Sequence, residues 1–406
     1  MRPRYLATAS PLLIGFCLSC AAPSGAQAPI WTAPLTGARP GCVSAIHVYV
    51  RPGDTGPTEY LRAEAIEEDC DATAAADSAP ADREPAREAR EVTGDLHRSA
   101  WAWRSEVWRN DPGAFVESAL AQGLDRLFIS VPIAAGQVDA APALERLIRR
   151  AHDAGIRISA VEGDPEMITP LGLEYAQTRA RALRDYNLTH PDAAIDELQY
   201  DIEPYLLAQY AEAPEDVLQR WARSLIALSE TYGAQLDIVI PFWLPLAPGG
   251  PEALNAVRER ALRLTTMAYR TTPASILAAA RPSLLWGEAN DLPVVIALET
   301  GPLEDEHLQV YRPSERGQLQ ISQSAPIRRV QLHADMAPGG AGAPTFMYSH
   351  TVTVPASRVS FDGDVSALDL ALEDVEPMLN SYDSYAGVAI HGLDLRPGRH
   401  TVSGEF

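Results

Sequence analysis

Two carboxylates, Asp201 and Glu203, stand one residue apart at the end of a short apolar run, Ile195-Asp196-Glu197-Leu198-Gln199-Tyr200-Asp201-Ile202-Glu203-Pro204-Tyr205. Side chains of an extended chain alternate between two faces, so Asp201 and Glu203 share one face and Leu198, Tyr200 and Ile202 the other. Pro204 has no N–H to give a ladder and should end the strand. Like charges placed together at a strand end repel and lose hydration, which raises a carboxyl pKa. That is the pattern of an acid/base site. A solvated loop is the plainer reading in so acidic a chain, but the apolar opposite face argues for a packed strand.

The elements that must position this pair begin at His97, where strand-like runs start to alternate with helical ones. The strand candidates are 100–103, 126–131, 157–161, 197–203, 236–241, 264–269, 294–299 and 386–391. Helical stretches lie between them at 111–122, 141–154, 172–186, 214–232, 251–261 and 272–281. Eight strands with helices between them spell an α/β fold, a (β/α)8 TIM barrel. A doubly wound sheet would advertise a Gly-rich phosphate turn after an early strand, and the chain has none. Between the seventh and eighth strands Gln318 to Ile321, Arg328 to His333 and Phe346 to Val354 read as strands. They form a small β-rich insertion between strand 7 and helix 7, at about 301–360, followed by a helix near Asp364 to Ser381. An insertion there sits on the C-terminal face and would wall one side of a cleft.

Residues at strand C-termini converge on one mouth. Here they are Trp103, Glu162, Asp164, Asp201, Glu203, Trp243, Tyr269, Arg270, Glu299 and His391. Aromatic rings among carboxylates suggest sugar: C–H faces stack on Trp and Tyr, and hydroxyls bond carboxylates and Arg. Glycosidic cleavage needs a protonated carboxyl for the leaving oxygen and a second group to stabilise the oxocarbenium-like centre. Glu203 is the candidate acid. Trp103 could equally be barrel filling, Arg270 a neutraliser of Glu203 or Glu299, and His391 a structural residue.

The 406 residues carry a formal net charge of -21. A surface of that sign attracts neither nucleic acid nor an anionic membrane, so the expected partner is a neutral glycan or oligosaccharide met by a monomer. All 33 basic residues are Arg. Without Lys there is no Schiff-base enzyme and no P-loop NTPase. No cofactor or metal is expected, because the mature chain contains neither C-x-x-C nor H-E-x-x-H.

Residues 1–28 read as an export segment: Arg2 and Arg4, an apolar run from Pro11 to Leu18, then small residues. Ser19-Cys20-Ala21-Ala22 resembles a lipoprotein cleavage site, which would lipidate Cys20 and anchor the chain to a membrane. Ala26-Gln27-Ala28 offers ordinary signal cleavage instead. The expected location is periplasmic or on the cell envelope, alternatively secreted. From 29 to 94 the chain reads as an N-terminal extension and linker, with a strand at Val43 to Val50 and a helix at Glu59 to Glu68; the barrel occupies 95–406. Cys42 and Cys70 are the expected disulfide, contributing roughly 3–4 kcal/mol by the chain-entropy estimate. Asp71 to Glu91 has no apolar periodicity and reads as a linker.

Asp196-Glu197-Leu198-Gln199-Tyr200-Asp201-Ile202-Glu203 resembles the fourth-strand pattern D-G-x-D-x-D-x-E of the chitinase-like glycoside hydrolase family 18. Met267-Ala268-Tyr269-Arg270 is similar to its sixth-strand M-x-Y-D, and that family also has an insertion after the seventh strand. The resemblance implies that Glu203 protonates the leaving oxygen, Asp201 orients a substrate N-acetyl group acting as nucleophile, and Tyr269 hydrogen-bonds that acetamide. Gln199 replaces the middle Asp of the pattern, Glu197 its Gly, Arg270 the Asp after Tyr, and His391 an expected Trp. Against the third-strand S-x-G-G the chain sets Ser159-Ala160-Val161-Glu162-Gly163. Ile202-Glu203-Pro204 is also similar to the N-E-P of retaining barrels. In those a nucleophile on strand seven, here Glu299, lies about 5–5.5 Å from the acid/base. Ile202 stands where their Asn would hold the 2-hydroxyl. There is a distant likeness to uncharacterised bacterial exported barrel proteins as well. A non-catalytic carbohydrate-binding barrel is the reading from a different class.

Overall fold

The computed structural model describes residues 29–36, 43–51, 58–67, 97–324, 327–339 and 343–395. Cys20, Cys42, Cys70 and the run from Asp71 to Glu91 lie outside the described residues.

The first strands are β1 (Trp31–Thr36), β2 (Val43–Arg51), β3 (Glu59–Glu67), β4 (His97–Ala102), β5 (Arg126–Ile129) and the short hairpin β6 (Ile133–Ala134) and β7 (Gln137–Val138). There follow β8 (Arg157–Glu162), β9 (Glu197–Tyr200), β10 (Leu236–Pro241), β11 (Ala261–Met267) and β12 (Val294–Glu299). The last are β13 (Glu306–Ser314), β14 (Arg316–Ser324), β15 (Ile327–Pro338), β16 (Thr345–Val354) and β17 (Tyr385–His391). The helices are α1 (Ser105–Asn110), α2 (Pro112–Ala121), α3 (Ala141–Asp153), α4 (Pro170–Thr189), α5 (Pro214–Tyr232), α6 (Gly250–Val257), α7 (Pro273–Asn290) and α8 (Val365–Leu379).

The strands β4, β5, β8, β9, β10, β11, β12 and β17 close into a ring of parallel neighbours, β17 returning to β4. These are the eight strands expected from the sequence, and the fold is a (β/α)8 barrel. Both faces of most strand residues are covered, which is why the runs are largely apolar. Outward residues such as Leu127, Ile158, Leu198, Ile238, Leu264 and Ile296 pack against the helices. Inward residues Trp101, Phe128, Val161, Val239, Met267 and Val295 fill the ring. α7 runs through Pro282, where the sequence suggested a stop at Arg281. Burial of Ile276, Ala280 and Leu284 along one side carries the helix past the missing N–H.

Beneath the apolar filling the ring holds charge. Arg263 Nε donates to Asp237 Oδ2 at 2.8 Å and its Nη2 donates to Glu197, while Arg126 Nη2 lies 3.4 Å from Glu197 Oε1. Thr265 Oγ1 donates to Asp237 Oδ1 at 2.8 Å, and Trp101 Nε1 donates to Gln199 Oε1 at 2.7 Å. Two guanidiniums thus face two carboxylates at the N-terminal end, and the layer above is tied to them through hydrogen bonds.

A second barrel is assembled from two distant parts of the chain. Strands β13 to β16, inserted between β12 and α8, close with β1, β2 and β3 in the order β1-β15-β14-β16-β13-β2-β3. The helix expected at Glu59 to Glu68 is instead β3, antiparallel to β2 and parallel to β1. Its Ala, Leu, Glu and Arg favour a helix locally, but pairing overrides weak propensity. Ala63 and Ala65 are buried in the small core, and the Arg62 guanidinium lies 3.3 Å over the Tyr49 ring across the pair.

Glu197→Ala would leave the two guanidiniums of Arg126 and Arg263 with Asp237 as the one carboxylate the ring sets against them. Breaking a buried pair in this way costs about 3–5 kcal/mol. A loss of that size in the free energy of denaturant unfolding is the expected result.

Candidate active site

β9 stops pairing at Tyr200, but the chain keeps its alternation for three more residues. Ile202 packs outward into the main core, so Asp201 and Glu203 turn inward. Asp201 N–H donates to the Glu162 carbonyl at 2.8 Å and the Trp221 indole N–H to the Ile202 carbonyl at 3.1 Å. Pro204 then opens the tight turn Pro204–Leu206. The neighbouring strand end passes so close that a Cβ at Gly163 would lie 2.3 Å from the Asp201 carbonyl oxygen, which leaves room for glycine alone.

Asp201 Oδ1 is shut away from solvent and has no hydrogen-bond partner in the protein. Burial first, and then the Glu203 charge, push the Asp201 carboxyl up to about 7, with His391 pulling the other way. Glu203 Oε1 accepts from the Tyr205 hydroxyl. Tyr205 packs edge-on to Trp243 with ring centroids 5.3 Å apart, and Tyr210 stands 6.2 Å from Trp243. The Tyr269 hydroxyl is held strongly in its protonated form by burial and by the charges of Asp201, Glu299 and Glu203. Those three carboxyls therefore lie close enough to Tyr269 to act on its hydroxyl.

Glu299 ends β12 with both carboxylate oxygens engaged. Oε1 accepts from Gly301 N–H at 2.5 Å and Oε2 from His391 Nδ1 at 2.7 Å. Burial alone would raise its pKa, but His391 and the Gly301 and Thr300 amides outweigh it and hold Glu299 below the usual carboxylate range. Gly392, at φ +73, makes the approach possible: a Cβ there would meet Gly301 N at 2.2 Å and Glu299 Oε1 at 2.6 Å.

The other nitrogen of His391, Nε2, lies 2.9 Å from Trp103 Nε1. An indole N–H can only donate, so Nε2 accepts and the ring proton sits on Nδ1, toward Glu299. Burial lowers the His391 pKa, but Glu299, Asp201 and Glu203 together raise it. The carboxylates thus favour an imidazolium, and the Trp103 contact opposes them by favouring a neutral ring with its proton on Nδ1.

Not every expected residue reaches this cup. Glu162 lies on the outward face of β8 with Ile158 and Ala160 and is clamped by Arg179, Nε to Oε2 at 2.5 Å and Nη2 to Oε1 at 2.7 Å. It belongs to the seam between strand and α4. Asp164 is exposed and caps the turn Pro165–Ile168 by accepting from Glu166 N–H at 2.8 Å. Arg270 neutralises neither Glu203 nor Glu299: its guanidinium lies 4.7 Å over the Phe242 ring and its Nη1 donates to the Tyr269 carbonyl at 2.6 Å. Trp243 borders the cup through Tyr205, and Trp103 borders it through His391. Sequence reasoning missed Tyr205, Tyr210, Gly163 and Gly392. Only Tyr205, two residues beyond Glu203 in a chain just turned by a proline, had a local signal. Among the described residues no group of three or more His, Cys, Asp or Glu is placed to hold a metal ion.

No protein-family model matches the chain, and no curated protein matches it. In structure it is similar to the GH18 chitinase ChiB of Flavobacterium johnsoniae, at 10% identity over 73% of this chain and 87% of that one, TM-score 0.36. It is also similar to a plant class V chitinase mutant from Cycas revoluta in complex with (GlcNAc)3, at 9% identity over 72% and 94%, TM-score 0.39. A third similar structure is the spore cortex-lytic enzyme SleL of Bacillus megaterium QM B1551, at 12% identity over 84% and 76%, TM-score 0.39.

A carboxyl whose folded pKa is raised from 3.8 to about 7 binds its proton more tightly in the folded than in the unfolded chain between those values. Stability therefore falls as pH rises through that window and stays lower above it. Asp201→Asn removes the titration. Its melting temperature should exceed that of the wild type by a few degrees at pH 8, with the gain disappearing toward pH 4 in thermal melts.

Proposed function

We propose that the chain is a glycoside hydrolase acting on an amino-sugar glycan, with Glu203 as general acid and Asp201 as acceptor of the substrate's acetamido N–H. The observation that supports this most directly is Asp201 Oδ1, an oxygen closed to water and without a donor. An unsatisfied buried polar atom costs about 1–3 kcal/mol, which a ligand donor would recover once rotation of the Asp201 side chain presents that oxygen to it. A sugar hydroxyl could donate too. An acetamide also brings a carbonyl oxygen able to attack the anomeric carbon. The cup favours that route, because both oxygens of Glu299 are already hydrogen-bonded, to Gly301 and His391, and the carboxylate is poorly placed as a nucleophile.

Accepting an N–H favours the ionised form of Asp201. The proton that Asp201 holds up to about pH 7 then passes to Glu203. Tyr205 occupies Glu203 Oε1, so Oε2 delivers the proton to the leaving glycosidic oxygen. As that C–O bond breaks, the acetamido oxygen bonds to the anomeric carbon, with the positive charge spread to the N–H facing Asp201. Water next attacks the same carbon, gives its proton to the Glu203 carboxylate and opens the ring intermediate, so configuration is retained overall. Tyr269 keeps its proton and donates to the acetamide. Trp243 and Tyr205 offer apolar faces to the sugar. The leader pattern of residues 1–28 supports action outside the cytoplasm, on an envelope or extracellular glycan.

On an aryl N-acetylglucosaminide, Glu203→Gln should lose roughly 10²–10⁴-fold in kcat, the usual contribution of a general acid. Glu299→Gln should retain turnover; its complete loss would favour Glu299 as a covalent nucleophile. Glycan binding by Glu203→Gln with no turnover by the wild type would make the chain a carbohydrate-binding barrel instead.

The reaction needs the proton that Asp201 holds. That proton is lost as pH rises through about 7, so kcat/KM should fall on the alkaline side of that value. A rate that is flat from pH 6 to 9 would count against this mechanism.

A further inference from the structure

His391 takes no part in the reaction proposed above, yet it stands close enough to Asp201 and Glu203 for their charges to act on it. Its Nδ1 donates to Glu299 Oε2 at 2.7 Å. Trp101, Trp103 and Tyr269 surround the imidazole, with ring centroids 5.8, 6.2 and 6.1 Å away. One place is left for a second proton, Nε2, and the Trp103 indole N–H is donated to it at 2.9 Å.

We propose that Trp103 is a positioning residue for the acid: by occupying His391 Nε2 it keeps the imidazole from taking the proton that Asp201 must hand to Glu203. The use made of that proton rests on the function proposed above, but its place on Asp201 rather than on His391 does not.

Three carboxyls, Glu299, Asp201 and Glu203, act to charge the ring, and burial opposes them. A nitrogen that accepts an indole N–H cannot also bind a proton, so the ring can become an imidazolium only when that bond breaks. The new proton would then sit on Nε2, on the side of Trp103. A positive ring would also draw the Asp201 carboxyl down, the direction in which His391 acts on it, and Asp201 would lose its proton at a lower pH. Trp103 is the exposed member of the pair. It is 39% exposed and, with Trp101 and His391, lines a cavity of about 840 Å³ where β17 meets β4, with Arg104, Asp394 and Asp362 of a left-handed turn at φ +48 on its other walls. The imidazole is the fixed member, because Glu299, which holds its Nδ1, is itself held by Gly301 N–H at 2.5 Å.

The test is an NMR titration of the His391 imidazole and the Asp201 carboxyl in isotopically labelled protein, the signals assigned through His391→Gln and Asp201→Asn. Trp103→Phe keeps a ring at this exposed position but has no N–H. In that variant His391 should titrate higher than in the wild type and Asp201 lower, each by roughly one unit, a tenfold change in proton affinity. With His391→Gln already present, Trp103→Phe should leave Asp201 unmoved. On an aryl N-acetylglucosaminide the alkaline limb of kcat/KM should move to lower pH in Trp103→Phe and stay in place when that change is added to His391→Gln. A His391 that titrates alike with and without the indole overturns the proposal, as does an Asp201 shift that persists without His391 or a limb that Trp103→Phe does not move. If both groups shift as expected while the wild type turns over no amino-sugar substrate, the glycosidase reading fails and the placement of the proton by Trp103 stands.

Discussion

The costly arrangement on which the C-terminal face depends is a carboxylate at Asp201, closed to water and one residue removed from a second carboxylate. The same ring treats charge in the opposite way at its other end. There Glu197 and Asp237 are each met by a guanidinium, from Arg126 and Arg263. At the mouth Arg270, which follows Tyr269, is turned onto Phe242. A neutralised floor and an unneutralised mouth within one barrel separate the charges that hold the fold from those left in a perturbed state, where acid/base chemistry is found.

Glu299 is handled in a third way. Instead of a guanidinium or isolation it receives a backbone N–H and an imidazole N–H, and it stays ionised while buried. Two glycines, Gly301 and Gly392, are needed for that approach. The effect passes outward: Glu299 fixes which nitrogen of His391 carries the proton, and His391 in turn fixes the Trp103 indole. Three residues from three strand ends thus form one hydrogen-bonded chain from the barrel wall to the edge of the neighbouring cavity.

What was legible in the sequence is what alternation and local turns control. The apolar face Leu198, Tyr200 and Ile202, with Pro204 after it, was enough to place Asp201 and Glu203 inward. The same rule applied to β8 would have put Glu162 outward with Ile158 and Ala160, so its selection as a cup residue neglected parity rather than lacked a signal. Other features had no local signal to read. The Glu299–His391 bond joins positions 92 residues apart, and the alternative of β3 to a helix is decided by β2 and β1, not by its own composition. Asp164 shows the remaining limit: a carboxylate just past a strand end can be spent on capping the next turn.

The second barrel bears on the site through the segment that returns from it. A closed set of strands leaves no free sheet edge, so β13 to β16 are positioned by β1 to β3 as well as by one another. From the end of β16 the chain re-enters along the cup wall. Thr271 Oγ1 donates to the Ser357 carbonyl at 2.7 Å, Phe361 N–H to the Glu299 carbonyl at 3.0 Å, and Ser360 Oγ to the Gly301 carbonyl at 2.5 Å. These bonds hold the backbone on both sides of the Glu299 carboxylate and place the turn at Asp362 that walls the cavity. Strands some 250 residues earlier in the chain, at 31–67, are thereby part of what fixes Glu299, and through it His391 and Trp103. The insertion is better understood as one half of a brace whose other half is the N-terminal segment than as a loop added to a finished barrel.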